Sequence, residues 1–213
     1  MSNFLLPILP DRKQFDADPF GYSASAWMKW GMVRTLAGFP IDISKAPSKE
    51  DLKDPVLWLS QARAMAEAAT IVITNKPSTD SLPEEMHGLL DVQYCSAALM
   101  LVGYSLEIAL KAMIILREGV SEYLDNESAF FHHHLDELAQ FVPELSEKDL
   151  AILSCLSHFT IWAGRYPDPG SRRIKDAVDI FSVSEAHRIS ATDLFGLVNH
   201  VMNHVVVVIE QSD

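Results

Sequence analysis

The stretch 84–117 constrains this chain more than any other. Leu99, Val102, Leu106, Leu110 and Met113 recur at helical spacing along one stripe, while Tyr104, Ile108 and Ile115 lie elsewhere around the same helix. A helix that is apolar nearly all round must be covered on most sides, which makes it the central member of a bundle. Its longest uncharged run is the fifteen residues between Asp91 and Glu107. That is short of the roughly 20 a membrane-spanning helix needs, so the chain is expected to lie outside the membrane.

The flanking segments supply partners for that helix. Asp54 followed by Pro55 is a capping residue and a first-turn proline, and opens a helix to about Asn75 in which Leu59, Ala62, Ala66, Ala69 and Ile73 recur. Residues 76–83 are turn-rich, and Gly119 stops the central helix. A loop at 125–127 leads to a short helix over 133–141. Ser146 starts another, with Glu147 and Asp149 in its first turn, which runs to the break at Pro167–Gly170. Arg172, Arg173 and Lys175 read as a basic loop, and Ser184 opens the last helix, towards Glu210. Ahead of all this, residues 1–22 read as loop, 23–37 as a helix ended by Gly38, and 39–54 as a connector. Glycine is sparse and no alternating pattern is long enough for a strand, so the expectation is all-α. The domains are an N-terminal extension, 1–53, and a helical bundle, 54–213.

Charge narrows the partners. Acidic residues outnumber basic ones 29 to 17, for a net charge of −12. Such a surface repels a phosphate backbone, so broad nucleic-acid binding is not expected, and an anion site has to be small and local. The first ten residues have no basic lead and two prolines, unlike a signal peptide. Cys95 and Cys155 sit in apolar helical stretches, as free thiols of a reducing, cytoplasmic setting do.

Within the helices, Glu107 and Lys111 stand four residues apart on an otherwise apolar helix, with Tyr104 a turn upstream. They read either as a structural ion pair or as the lining of a cleft. His158, Trp162 and Arg165 fall on one helical face, a spacing at which arginine can fork a phosphate, tryptophan can stack a base and histidine can donate. The alternative places Trp162 in the core and Arg165 on its own helix carbonyls. His132, His133 and His134, and His200 with His204, lack the companion ligands of a closed metal site. No metal or other cofactor is expected.

Three elements in order carry a resemblance. Ser105 to Ile114, with Glu107 four residues before Lys111-Ala112, resembles the second-helix signature of HEPN domains. His133 to Leu138 is similar to that family's His-x-Leu-x-x-Leu element, and Arg165-Tyr166-Pro167-Asp168 to the Arg-Tyr-Pro-Asp ending of one branch. The resemblance covers roughly residues 54–211 and implies an HEPN-like up-and-down helical bundle, commonly a homodimer, in a microbial stress, toxin–antitoxin or phage-defence setting with a possible antitoxin partner. Active HEPN ribonucleases carry an arginine followed after four to six residues by a histidine, and no arginine here fits that pattern. The leading expectation is therefore a module that binds a nucleotide or RNA end through Lys111, His133, Trp162, Arg165, Tyr166 and Arg172. A metal-independent endoribonuclease using His158 or His133 with Arg165 is the rival, and a structural or protein-interaction module is a third reading.

Overall fold

The computed structural model describes residues 8–171 and 174–212, and every regular element among them is helical. The chain divides into two units, Met1–Leu57 and Trp58–Asp213.

The first unit holds more helix than its prolines suggest. Helices α1 (Arg12–Ala17) and α2 (Pro19–Ala24) occupy a stretch expected to be loop. Both have aspartate caps: Lys13 N donates to Asp11 Oδ1 and Gly21 N to Asp18 Oδ1, at 3.1 and 2.9 Å. Pro19 begins α2, where its missing N–H costs nothing. Helix α3 (Ala26–Leu36) starts after Ser25, two residues beyond the expected Ser23. Gly38 ends this region at φ +92°, a conformation that favours glycine.

Helix α4 (Pro55–Thr74) opens as expected on Asp54, whose Oδ1 accepts from Val56 N at 2.8 Å. In the second unit, α5 (His87–Glu118) is the axis. Ala98, Leu106, Leu110 and Met113 are fully buried, and Val102 nearly so. Val102, Leu106, Leu110 and Met113 join one core with Leu135, Leu138, Leu153, Leu156, Leu197 and Val201. At roughly 1.5–3 kcal/mol per buried leucine-sized side chain, this cluster is what pays the chain's ordering entropy. Ser105 Oγ donates to Ala62 O at 2.8 Å, which ties α4 to α5.

Several segments of this unit differ from expectation. The loop expected at 125–127 shrinks to a turn at Asn126 between two short helices, α6 (Val120–Asp125) and α7 (Glu127–Phe130), where Tyr123 is buried and stacks on Phe130 at 5.2 Å. The next helix, α8, is only Leu135–Leu138. Helix α9 (Glu147–His158) begins in a reciprocal capping box between Ser146 and Asp149 and passes into a π-helical turn, Phe159–Ala163. The segment expected to be a basic loop is mostly helix α10 (Ile174–His187), which includes Lys175; Arg172 and Arg173 lie outside the described residues. Ser184 lies inside α10. The last helix, α11 (Ala191–Ser212), starts instead at Ser190, whose Oγ accepts from Asp193 N at 3.2 Å while Asp193 Oδ2 accepts from Ser190 N at 2.9 Å.

By length and composition, three helical stretches among the described residues are apolar enough to cross a membrane: Pro55–Thr74, Glu84–Glu118 and Ala191–Ser212. The most apolar window of the second is 67% buried inside the fold, so its hydrophobicity is satisfied by protein.

Candidate functional site

Two charged side chains of α5 point inward. Glu107 and Lys111 are 5% and 7% exposed, and Lys111 Nζ lies 2.7 Å from Glu107 Oε1. The other carboxylate oxygen, Oε2, is 2.8 Å from His133 Nδ1. Lys111 Nζ also donates to His132 O at 3.1 Å. The segment entering α8 is thus fastened to the central helix at two consecutive residues. Tyr104 meets the His133 ring edge-on at 6.1 Å and donates its hydroxyl to Thr160 O at 3.2 Å, linking this cluster to the π-helical turn. A second tie comes from Ser157, whose Oγ accepts from Leu135 N at 2.9 Å.

The π-helical turn builds a different surface. One extra residue per turn lets Gly164 N reach Phe159 O, five residues back, at 3.2 Å. Such turns recur at functional sites because they re-aim side chains out of the helical register. Trp162 is largely buried, and its indole Nε1 donates to His158 Nδ1 at 3.4 Å. Arg165 is exposed at the end of the turn, donates to Ile161 O of its own helix, and holds its guanidinium 5.6 Å from the Tyr166 ring centre. One of five N–H groups is thereby used.

Arg165 and Tyr166 stand on a groove of about 840 Å³. Its walls are Leu89, Val92 and Leu99 from α5, Phe159 and Trp162 from the turn, and Ile180 and Phe181 from α10, with Asp91, Cys95 and Ser96 as polar members. Among its described lining residues Arg165 is the one cation, so an anionic group entering here has a single anchor.

The structure therefore sorts the candidate residues into two groups. Glu107, Lys111 and His133 form the buried cluster; Trp162, Arg165 and Tyr166 line the groove, and His158 braces Trp162. The groove is lined by neither Lys111 nor His133, and the Lys111 amine is already committed. Arg172 lies outside the described residues. Sequence reasoning missed the α10 wall, Ile180 and Phe181, because that helix was read as loop. It also missed Asp91 and Cys95, which no local pattern marks.

The two histidines of α11 have local roles. His200 Nε2 bonds Pro143 O at 2.9 Å, and His204 packs on Phe141 at 6.2 Å, where burial, then His200 and Arg117, hold its pKa below the ordinary imidazole value. Among the described residues no three His, Cys, Asp or Glu side chains are placed to share a metal ion. The chain matches no protein-family model, no curated protein and no solved structure.

Proposed function

We propose that this chain is an HEPN-like helical module, cytoplasmic and homodimeric, that holds a nucleotide or the end of an RNA strand in the groove at Arg165. The observation that carries this reading is the state of Arg165. Its guanidinium is exposed beside an aromatic ring, with one hydrogen bond to its own helix, at the mouth of a groove walled by Phe159, Trp162 and Phe181. A fork with donors to spare suits a phosphate, and flat apolar walls suit a base. A net charge of −12 agrees with a small local site and against a long nucleic-acid track.

The ribonuclease reading draws less support. It needs an imidazole and a cation converging on one phosphodiester. Lys111, the cation beside His133, is spent on Glu107 and His132 O, and neither His133 nor His158 lines the groove of Arg165. The microbial stress, toxin–antitoxin or phage-defence setting, and an antitoxin partner, belong to the proposal through the family resemblance alone.

Calorimetric titration with a nucleoside monophosphate tests it. Arg165→Lys keeps the charge but loses the bidentate fork, so binding should weaken by about tenfold, the scale of a lost charge-assisted hydrogen bond, while thermal stability stays unchanged. Bound nucleotide should also slow alkylation of Cys95, which lines the same groove. Binding indifferent to Arg165→Lys and to Arg165→Ala would remove the reading.

A further inference from the structure

The Glu107 carboxylate is buried, and each of its oxygens has a partner: Lys111 on one side, His133 Nδ1 on the other. An oxygen acceptor at 2.8 Å from Nδ1 requires the ring proton there, so the neutral imidazole carries its lone pair on Nε2. The His133 side chain is 43% exposed, and among the described residues Nε2 makes no hydrogen bond. A carboxylate behind a histidine fixes the ring's orientation and tautomer and stands ready to balance positive charge that develops on the ring. Lys111 keeps the carboxylate in place by neutralising its charge in the interior, and Tyr104 edge-on limits the tilt of the ring.

We propose that His133 Nε2 is a nucleophilic acyl-acceptor site, separate from the groove at Arg165, for an uncharged acyl donor such as an activated ester or anhydride. In the step, the Nε2 lone pair attacks the carbonyl carbon, the bond from that carbon to the leaving oxygen breaks, and the leaving group departs with the electron pair. The positive charge that appears on the ring is met by Glu107 across the Nδ1 hydrogen bond. Water hydrolyses the resulting acyl-imidazolium to the carboxylic acid, the ring keeps its Nδ1 proton, and the proton released from water is taken up by the departed leaving group. Charge selects the donor class. The protein carries −12 overall and the adjacent Lys111 amine is already bonded to Glu107 and His132 O, so a phosphoryl group meets net repulsion with no free cation beside the ring, and an uncharged carbonyl does not.

His132 and His134 provide controls within the same molecule. His132 Nδ1 accepts from His134 N at 3.1 Å and its Nε2 is 3.9 Å from Glu137, so His132 has no carboxylate at Nδ1, and among the described residues the His134 ring makes no ion pair. Diethyl pyrocarbonate, an uncharged acyl donor, is the probe, with each histidine's carbethoxylation followed by peptide mass spectrometry. In the full-length protein, His133 should react about tenfold or more faster than the exposed His134, the usual scale of a supporting carboxylate. Glu107→Gln should bring His133 down to the level of its neighbours. Should that variant unfold, Glu107→Gln/Lys111→Met removes both charges together and is expected to give the same loss of rate in a folded protein. His133 reacting no faster than His134 in the unaltered protein, or keeping its advantage in the folded double variant, overturns the proposal.

Discussion

Gly164 runs so close to Met100 that a methyl group on it would overlap the Met100 side chain. The contact presses the end of the π-helical turn onto α5 and so sets where the following residue, Arg165, meets the groove. Gly103 does the same in the other direction, where an added Cβ would come within 2.6 Å of Thr160 Cγ2. Two helices approach this closely only where one of each facing pair lacks a side chain.

Gly164→Ala should therefore act on position more than on folding. Overpacking costs about 1–3 kcal/mol, readable as a lower urea midpoint. The displaced Arg165 should weaken nucleotide binding beyond what that loss accounts for. Unchanged affinity in a folded Gly164→Ala protein would show that the placement of Arg165 does not depend on this contact.

Tyr123 gives the fold a dependence on alkaline pH. Burial, helped by Glu127 and Glu107, pushes its hydroxyl from 10.0 up to about 12. The folded state thus resists releasing a proton that the unfolded chain gives up more readily. Its contribution is complete below pH 10.0 and is lost as pH rises towards about 12. Urea midpoints should fall over that interval, and Tyr123→Phe should flatten the fall. An equal slope in both proteins would place the alkaline loss elsewhere.

Much of this was legible because the residues speak locally. Leu99, Val102, Leu106, Leu110 and Met113 announce a central helix by having no polar side to turn outward, and the 107/111 spacing alone brings a carboxylate and an amine together. Ser146 with Asp149 and Asp54 before Pro55 each complete a hydrogen bond within three residues. Pro19 misled for an equally physical reason: a proline reads as a breaker unless the preceding Asp18 is recognised as its cap. The helix containing Lys175 was hidden by a serine. Ser184 resembles a cap, yet Ser190 has Asp193 three residues on, and that reciprocal pair decides where α11 begins. The groove was the least legible feature, since Leu89, Phe159, Arg165 and Phe181 come from separate elements and no spacing along the chain encodes their meeting.

The second concave surface bears on assembly. A groove of about 570 Å³ runs between α4 and α11, with Ala62, Ala66 and Ala69 on one side and Phe195, Val198 and Met202 on the other. Phe195 is 40% exposed there. Small residues facing large ones suit a self-complementary contact, in which each copy's Phe195 packs over the other's groove at Ala66, with Ala62 and Ala69 buried beneath it. Sedimentation at micromolar concentration should give a dimer, and Phe195→Glu a monomer of equal melting temperature. A monomer in the unaltered protein removes the homodimer from the proposal.

The buried cluster predicts a particular non-additivity. Lys111→Met keeps the volume of the side chain but leaves the Glu107 carboxylate in the interior without its cation. Breaking a buried pair from one side costs about 3–5 kcal/mol, since the stranded charge has neither water nor a counter-ion. Adding Glu107→Gln removes that charge while retaining an oxygen to accept from His133 Nδ1, so the double variant should recover most of the loss. The coupling measured by the double-mutant cycle should then be well above the few tenths of a kcal/mol at which independent sites add. Simple additivity would mean that Glu107 and Lys111 stabilise the fold separately. His133 would then be held by Glu107 alone, without Lys111 contributing to its orientation.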